Sequence, residues 1–393
     1  MIRRNLPKLL LKFVLMKVKF NDLVKQWDQI KDEVNPKIQE FFNSSAYICG
    51  PYLEKFETSF SKWTGRKYSI GVSNGTDGLK MAIQALNLYE GTTDVVMPAN
   101  TFIADPLAVY YQIKGDFNIS LIDHDNYFQM DLDLLVEHLD NTRGKYDHCI
   151  ILPVHLYGHP TDMVKVSEIA KKYDCKIIED ASQAHGAITN GEMVGKYSDM
   201  AVYSLYPGKN LGAIGDAGIV TTDIEEYKDR LCSLRNYGSS KKYYYDDIGW
   251  NHRMDPLQAI ILNEKLKHLD SWNQSKQEVV KKYNDLLQDD FLPNFVQTPE
   301  EDIHVDLHVY HIYCLLVDHR EELQQFLNER GVQSGIHYPV PIQKTEPFEY
   351  LNIYSNPKTI ENSDKIFSLP MHPWLTDNEI EYTCDCIKQF YTI

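Results

Sequence analysis

A single lysine stands between a Pro-Gly pair and a glycine-rich loop in the stretch YSLYPGKNLGAIGDAG, residues 203–218. Lys209 follows Ser204 by five positions, at the end of an apolar run that predicts a buried strand. A desolvated lysine in this position is held as a neutral amine and forms a Schiff base with an aldehyde. The alternative from this stretch alone is a surface lysine in a flexible loop. The later glycines lead into another strand instead of opening a helix, which argues against dinucleotide binding.

Two further segments place polar groups where an apolar run ends. In IGVSNGTDGLKMAIQAL, Gly75 and Thr76 open a helix, and the free backbone amides of a helix N-terminus bind a phosphate monoester. In CKIIEDASQAHG, Asp180 ends a buried run, so its carboxylate needs a cationic partner such as a protonated pyridine nitrogen. Gln183 follows three residues later and is placed to reach the same ligand. Each segment also has an ordinary interpretation, a turn for the first and a helix cap for the second.

Short apolar runs alternate with helical segments through the first part of the chain. The runs lie near Val95, Ile119, Ile151, Ile177, Val202 and Ile219. This alternation predicts an α/β domain whose mostly parallel sheet is covered by helices on both faces. A long helical stretch from Asp255 to Gln288, with Pro256 at its first helical position, is predicted to bridge to a smaller α+β domain.

These patterns predict three parts of the chain. Residues 1–19 form an N-terminal extension outside the fold, residues 20–262 a large domain, and residues 263–393 the bridging helix and the small domain. The apolar run in the first part is interrupted by Lys12, lacks a small-residue cleavage site and is too short to span a bilayer. We therefore predict that Met16 is the true start.

The composition limits the classes of function. A chain of 393 residues, 43% of them hydrophobic, buries a large core. Acidic residues outnumber basic ones by 56 to 40, and the net charge of -16 disfavours binding along nucleic acid. The seven cysteines form no CxxC pair and have no histidine at ligand spacing, so we predict structural thiols in a reducing cytosol and no metal site.

The phosphate cradle, the carboxylate and the lysine together form the set of groups that a pyridoxal phosphate enzyme needs. The sequence resembles the DegT/DnrJ/StrS family of sugar-nucleotide aminotransferases over nearly its whole length. The matching pieces, in family order, are SNGTDGL, PANTFIA, PVHLYGHPTDM, IIEDASQAHGA, YSLYPGKNLGAIGDAG, LRNYGSS, GWNHRMDPLQA, HVYHIYCLLV, GIHYPVP and LSLPMHP. The resemblance implies the aspartate aminotransferase fold (fold type I): a large domain with a mostly parallel seven-stranded sheet and a smaller α+β C-terminal domain. We expect a cytoplasmic enzyme.

The resemblance also implies a role for each matching residue. Lys209 matches the lysine that bonds to pyridoxal 5'-phosphate, Asp180 the partner of the pyridine nitrogen, and Gln183 the residue near the ring hydroxyl. Asn251 of GWNHRM matches the asparagine that reaches the phosphate of the neighbouring subunit's cofactor, which implies a homodimer with its active site at the subunit interface. The positions that bind the phosphate and stack on the cofactor are matched by Gly75, Thr76, Ser204 and Phe102.

The piece SLYPGKN resembles the subgroup that aminates 3-keto-6-deoxyhexoses linked to dTDP, with L-glutamate as the amino donor. It predicts synthesis of a dTDP-3-amino-3,6-dideoxyhexose for a surface polysaccharide or glycan. A dTDP- or UDP-linked 4-keto sugar is the alternative substrate. A dehydratase of this fold would carry histidine in place of Lys209, and a non-enzymatic regulator would have lost the three motifs. The candidate sugar-binding residues, each also compatible with a place in the core, are His155, His185, His337 and Tyr338.

Four residues stay outside this assignment. Gly78 stands where the family commonly has alanine, and Asp105 stands where it commonly has a small or hydroxyl residue. Asp105 follows NTFIA and is expected to alter the polarity of the pocket. Arg235 and Arg253 are candidates to bind a carboxylate or a diphosphate bidentately, or to pair with the surplus acids.

Overall fold

The structure of the protein is a computed structural model. It describes residues 16–88, 90–112, 116–288, 292–351 and 355–392. The predicted start at Met16 therefore lies at the edge of the described residues, and most of the predicted N-terminal extension lies outside them.

Helices and strands alternate along most of the chain. The helices are α1 (Leu23–Ser44), α2 (Pro51–Thr64), α3 (Gly75–Ala85), α4 (Ala104–Gln112), α5 (Leu132–Thr142), α6 (Met163–Tyr173), α7 (Glu225–Leu234), α8 (Pro256–Lys265), α9 (Leu269–Leu287), α10 (Arg320–Glu329), α11 (Pro357–Ser363) and α12 (Asp377–Thr392). The strands are β1 (Tyr68–Val72), β2 (Thr92–Pro98), β3 (Asp116–Ile122), β4 (His148–Ile151), β5 (Lys176–Asp180), β6 (Ile188–Thr189), β7 (Glu192–Met193), β8 (Met200–Ser204), β9 (Gly218–Thr222), β10 (Ser239–Lys241), β11 (Tyr244–Tyr245), β12 (Val296–Gln297), β13 (Val305–Leu307), β14 (Tyr313–Val317) and β15 (Ile366–Leu369).

Seven strands form the central sheet, in the order β1-β9-β8-β5-β4-β2-β3. The pairs β2 with β3, β2 with β4, β4 with β5, and β5 with β8 are parallel. Strand β9 is antiparallel to both of its neighbours, β1 and β8. The fold class predicted from the sequence, a mostly parallel seven-stranded α/β sheet, is confirmed.

The sheet strands are buried because helices cover both faces. Leu79 of α3 and Val109 of α4 pack with Val95 and Val202 in one core cluster. On the opposite face of β2, Val96 packs in a second cluster with residues of α5 and α6. Strands buried on both faces explain why the sheet sequences are continuous apolar runs rather than alternating ones.

The direction of the strands decides where a site can form. Because β9 reverses between β1 and β8, strand β1 runs in the same direction as the parallel strands β8, β5, β4 and β2. The carboxyl ends of these five strands therefore lie along one edge of the sheet. In open α/β sheets, ligands bind at this edge.

The helical bridge predicted between Asp255 and Gln288 is two helices rather than one. Helix α8 begins at Pro256 after the N-cap Asp255, as predicted. It ends at Lys265, because the N–H groups of Lys267 and His268 donate to carbonyls three residues earlier, which tightens the chain into a turn before α9. Strands β12, β14 and β15 pair antiparallel in the C-terminal part and pack with α9, α10 and α12.

Part of the segment predicted to lie outside the fold, residues 1–19, belongs to the core. Val18 is 1% exposed and packs in the C-terminal cluster with residues such as Val332. Its N–H donates to the Gly331 carbonyl at 2.9 Å, and its carbonyl accepts from the Gln333 N–H at 3.0 Å. The sequence did not reveal this contact because a single β-bridge to a partner more than 300 positions away has no local signature.

The described residues contain neither a candidate membrane span nor a candidate metal centre. None of the described helices combines the length and the apolarity that a bilayer crossing requires. Within the same residues, no group of three or more histidine, cysteine or acidic side chains is arranged to hold a metal ion. All seven cysteines are free thiols.

Candidate active site

A cavity of about 560 Å³ opens at the carboxyl edge of the central sheet. The segments that follow β1, β2, β4, β5 and β8 supply its walls. Eight of the residues predicted from the sequence line it: Gly75, Thr76, Phe102, Asp180, Gln183, Ser204, Lys209 and Tyr338. A smaller cavity of about 210 Å³, between residues 125–128 and 297–300, is lined by none of the predicted site residues.

Lys209 is placed by a tightly bonded loop after β8. Its N–H donates to the Tyr206 carbonyl at 2.9 Å, and the loop is closed by a bond from the Ala213 N–H to the Leu205 carbonyl at 2.8 Å. A Cβ on Gly212 would lie 2.3 Å from the Pro207 carbonyl oxygen, so this glycine is required by the close approach of two backbone segments. The lysine is therefore held by backbone geometry and is not part of a flexible surface loop.

The environment of Lys209 favours the neutral amine. Burial lowers the pKa of Lys209 to about 8, and the opposing charge of Asp180 limits the decrease. An amine with a pKa near neutral pH can both accept and donate a proton, which is what a catalytic base and acid requires.

A helix N-terminus lies across the cavity from the lysine loop. Gly75 and Thr76 are the first residues of α3, so their N–H groups have no acceptor within the helix. The Asn74 side chain caps the helix by accepting from the Asp77 N–H at 2.8 Å. A Cβ on Gly75 would lie 2.8 Å from the Ser204 Cβ, so the glycine lets the helix end approach β8. The Ser204 side chain and the two amides together form a cradle for an anion.

Asp180 is the last residue of β5 and is 6% exposed. One carboxylate oxygen, Oδ1, accepts from the Ser182 N–H at 2.8 Å. The Ser182 hydroxyl oxygen in turn accepts from the Ser204 N–H at 3.2 Å, which links the ends of β5 and β8. The carboxylate lines the cavity, where a cation can meet it.

Aromatic rings and an amide form another wall of the cavity. The Phe102 and Tyr338 rings lie 5.3 Å apart between centroids, at an angle of 39°. The Gln183 amide donates to the Tyr338 hydroxyl at 3.2 Å, and its oxygen accepts from the Tyr157 N–H at 2.6 Å. Phe102 is 48% exposed, so its ring is available to stack on a ligand.

The carboxyl of Asp105 lies behind this surface. Asp105 is fully buried in the first turn of α4, and its Oδ2 accepts from the Thr101 hydroxyl. Burial, and then the negative charge of Asp180, raises the pKa of Asp105 well above its usual range. The expectation that Asp105 alters the pocket is therefore supported by its contact with Asp180.

The four residues predicted to bind the sugar are in different environments. Tyr338 lines the cavity, and His337 lies beside it with its Nδ1 2.9 Å from the Ser368 hydroxyl. Burial lowers the pKa of His337 to about 4, so its ring is neutral at pH 7. His155 and His185 are fully buried and do not line the cavity.

The contacts of these two buried histidines explain their positions. The His155 Nδ1 accepts from the Thr161 N–H at 3.1 Å, so its Nε2 carries the hydrogen and donates to Glu179 at 2.8 Å. The His185 ring packs against Tyr203. Neither ring reaches the cavity, and we leave both out of the proposed sugar-binding set.

Asn251 lies apart from the cavity of its own chain. It is exposed, and its backbone pairs with that of Asn236. Arg253 donates to the Asn236 side chain at 2.7 Å and stacks on Tyr237, while Arg235 pairs with Glu57. Of the two arginines considered from the sequence, Arg253 has a neutral hydrogen-bond partner and Arg235 an acidic one.

Sequence reasoning did not single out several residues around the cavity. Ser182 links the ends of β5 and β8. Its position between Asp180 and Gln183 in EDASQ could have indicated that it lies at the site. Phe20 stacks on His337 with 5.6 Å between ring centroids, and the Asn21 amide donates to the Gly208 carbonyl at 3.3 Å. No local pattern in the sequence relates these N-terminal residues to the cavity.

The residues present fit pyridoxal phosphate. The anion cradle at Gly75 and Ser204 suits its phosphate, the cavity-facing Asp180 suits its ring nitrogen, and Lys209 suits its aldehyde. These groups come from the ends of different strands and converge on one cavity. The fold and the site together define a pyridoxal-phosphate-dependent aminotransferase.

The chain belongs to the DegT/DnrJ/EryC1/StrS aminotransferase family, whose model matches residues 28–388. Aminotransferases of this family depend on pyridoxal phosphate. The family, the enzyme class and the cofactor predicted from the sequence are thereby confirmed.

Similar proteins include two transaminases of dTDP-linked amino sugars. The chain is 37% identical to the dTDP-3-amino-3,6-dideoxy-alpha-D-galactopyranose transaminase of Aneurinibacillus thermoaerophilus, over 95% of this chain and 99% of that protein. It is 35% identical to the dTDP-3-amino-3,4,6-trideoxy-alpha-D-glucose transaminase of Streptomyces venezuelae, over 95% of this chain and 96% of that protein. The crystal structure of S. venezuelae DesV in complex with a ketimine intermediate superposes with a TM-score of 0.88 at 33% identity, covering 95% of this chain and 98% of that one.

Proposed function

We propose that this protein transfers an amino group from L-glutamate to carbon 3 of a dTDP-linked 3-keto-6-deoxyhexose, giving a dTDP-3-amino-3,6-dideoxyhexose. The observation that carries the transamination is the convergence of Lys209, Asp180 and the cradle at Gly75 and Ser204 on one cavity. Similarity to two transaminases named for dTDP-3-amino sugars supports carbon 3 and the dTDP carrier. Tyr206, the first residue of the Tyr-Pro-Gly step that resembles the 3-keto subgroup, lines the cavity and is 59% exposed.

Each residue of the cavity has a defined task in this proposal. Pyridoxal phosphate, when bound, supplies the electron sink for the cleavage of a C–H bond. The amine of Lys209, with its pKa lowered by burial, takes a proton from the α-carbon of L-glutamate and, in the second half of the reaction, delivers a proton to carbon 3 of the sugar. The carboxylate of Asp180 stabilises a positive charge on the ring nitrogen. The amides of Gly75 and Thr76 hold the phosphate.

The remaining cavity residues hold and orient the ligands. The Ser204 hydroxyl adds a hydrogen bond to the phosphate, Phe102 stacks on the cofactor ring, and Gln183 lies near the ring hydroxyl. Tyr338 and the neutral His337 are the proposed sugar contacts, since both lie at the same wall as Phe102. Asn251 is proposed to bind the phosphate at the partner subunit's site in a homodimer, because it is exposed and does not line its own chain's cavity.

The setting of the enzyme is also part of the proposal. Seven free thiols suit a reducing cytoplasm, and a nucleotide-linked sugar is a soluble precursor. We propose that the product is used in a surface polysaccharide or glycan. The alternative substrate is a dTDP- or UDP-linked 4-keto-6-deoxyhexose, which the same lysine and carboxylate would aminate by the same chemistry.

A product assay tests the proposal. The enzyme is offered L-glutamate with dTDP-linked 3-keto or 4-keto 6-deoxyhexoses, and the new amine is located by NMR. We expect an amine at carbon 3 and no amine with the Lys209→Ala variant, because removal of the amine removes both the cofactor bond and the proton carrier. An amine formed solely from the 4-keto substrate would overturn the choice of carbon. Wild-type turnover by Lys209→Ala would overturn the assignment of the lysine.

A further inference from the structure

Two carboxyl groups meet beneath the cavity. The Asp105 side chain is within hydrogen-bonding reach of the Asp180 carboxyl. Its Oδ2 accepts from the Thr101 hydroxyl, and its Oδ1 has no hydrogen-bond donor among the described residues. Asp105 is 0% exposed, so water is not available to replace a missing donor. The Asp105 carboxyl therefore faces a second carboxyl from a site that excludes solvent.

A second buried aspartate, Asp94, has hydrogen-bond partners at both of its carboxyl oxygens. Asp94 is 1% exposed, and one of its oxygens accepts from the Ser120 hydroxyl and the Asn118 amide. Its other oxygen lies 2.8 Å from the His138 Nε2. Both oxygens of Asp94 thus have hydrogen-bond partners, whereas Oδ1 of Asp105 has none among the described residues.

Two carboxylates in contact inside a protein do not both ionise, because their repulsion is not screened by water. The other titratable groups that act on Asp105 are Lys209 and Tyr338. Tyr338 is a neutral phenol at pH 7, since burial raises its pKa. Burial lowers the pKa of Lys209 to about 8, so near that pH its amine carries only part of a positive charge. One proton shared between the two carboxyls then satisfies both of them.

We propose that Asp105 is protonated and donates a hydrogen bond from Oδ1 to the Asp180 carboxylate, so that Asp105 is a positioning residue for the cofactor ring. The donated bond fixes the orientation of Asp180 and keeps one negative charge on the pair. That single charge matches the single positive charge of a protonated ring nitrogen. The effect on the cofactor rests on the proposed function of Asp180, whereas the shared proton is a property of the chain by itself.

Infrared spectroscopy of the cofactor-free protein detects the shared proton directly. At pH 8 we expect a carboxylic-acid C=O band in protein labelled with ¹³C-aspartate, since ionised carboxylates do not give this band. Burial raises the pKa of Asp125 only to about 6, so Asp125 is ionised at pH 8 and does not contribute. The Asp105→Asn variant should lack the band, and the Asp94→Asn control should retain it. Absence of the band from the wild type, or its persistence in Asp105→Asn, overturns the proposal.

Cofactor affinity tests the positioning role. Asp105→Ala removes the donor, and we expect it to weaken binding of pyridoxal phosphate by roughly 10- to 100-fold, the range for loss of a hydrogen bond to a charged group. Asp105→Asn retains an N–H donor and should restore the affinity to within about threefold of the wild type. The Asp94→Asn control should bind as the wild type does. Equal affinities of Asp105→Ala and the wild type would contradict the role.

The two measurements separate this inference from the proposed function. The infrared band reports the carboxyl pair in the absence of cofactor and substrate. If the band is present but Lys209→Ala still turns over substrate, the proposed function fails and the shared proton stands. If the band is absent and transamination proceeds as proposed, the inference about Asp105 fails alone.

Discussion

Lys209 illustrates how one side chain obtains its chemistry from its surroundings. Burial favours the neutral amine, while the charge of Asp180 favours the ammonium, and burial prevails. The lowered pKa has a consequence for stability. In the unfolded chain Lys209 keeps its proton up to about pH 10.5, whereas in the folded chain it releases the proton at about pH 8. The free energy of unfolding therefore increases with pH between these two values.

The same pKa predicts the reactivity of the cofactor-free protein. Acylation of Lys209 by a small reagent, followed by peptide mass spectrometry, should rise with pH to a midpoint near 8, because the neutral amine is the nucleophile. Lys31 is the control, since a hydrogen bond from its ammonium to Asp28 raises its pKa. We expect Lys31 to react only at clearly higher pH. Identical pH profiles for the two lysines would contradict the desolvation of Lys209.

The site residues that could be predicted from the sequence are those whose position follows from the end of a strand or the start of a helix. Gly75 and Thr76 must begin a helix after a strand, and Asp180 must end a strand, so their positions at the sheet edge follow from local pattern. His155 and His185 occur in segments of the same kind, yet their rings point into the protein. The difference is set by partners such as Glu179, which packing chooses and spacing does not encode.

The contact between α3 and β8 explains why Gly78 is a glycine. A Cβ at this position would lie 2.7 Å from the Val202 Cγ1, closer than two carbon atoms can pack. The same close approach brings the N-terminus of α3 to the end of β8 beside Ser204. Gly78 therefore helps to form the anion cradle by letting α3 approach β8, although its own backbone does not line the cavity.

Substitution at this contact tests the explanation. We expect Gly78→Ala to lower the free energy of unfolding by about 1–3 kcal/mol through overpacking, measured by denaturant titration of the cofactor-free protein. Val202→Ala makes room for the added methyl, so the double variant should lose less than the sum of the two single losses, with a coupling of about 0.5–3 kcal/mol. Simple additivity would show that the two residues do not compete for space.

At the level of elements, the alternation of strands and helices could be predicted from the sequence because the central strands are continuous apolar runs. The break between α8 and α9 could not be predicted, because Leu266, Lys267 and His268 all have ordinary helix propensity. Strand β9 was recognised as a strand, but its antiparallel direction depends on the connection after Lys209, which the sequence does not reveal.

The whole molecule leaves apolar groups exposed around the mouth of the cavity. Phe102 and Tyr206, which line the cavity, are 48% and 59% exposed. Exposed rings at the rim of a site suit a second copy of the chain, which the proposed homodimer supplies. In that arrangement each cavity takes Lys209 from one subunit and Asn251 from the other.

Mixed dimers test this arrangement. Lys209→Ala and Asn251→Ala are each expected to be nearly inactive as pure proteins, the first through loss of the amine and the second through loss of a phosphate contact. When equal amounts are unfolded together and refolded, half of the dimers are mixed and each has one intact site, so about a quarter of wild-type activity should return. Mixing without exchange of subunits is the control. No recovery after confirmed exchange would show that Asn251 does not act across an interface.

Val18 has a consequence for the order in which the protein is completed during translation. It leaves the ribosome before nearly all of the other described residues, yet its core neighbours extend from Val279 to Ile387. The central sheet can assemble while the chain is still growing, but the core around Val18 is complete only after α12 has been made. Phe20 and Asn21 follow Val18 closely in the chain, and they touch His337 and Gly208 beside the cavity. The wall of the cavity is thus finished last, so a truncated nascent chain can contain Lys209 and Asp180 without forming a closed site around them.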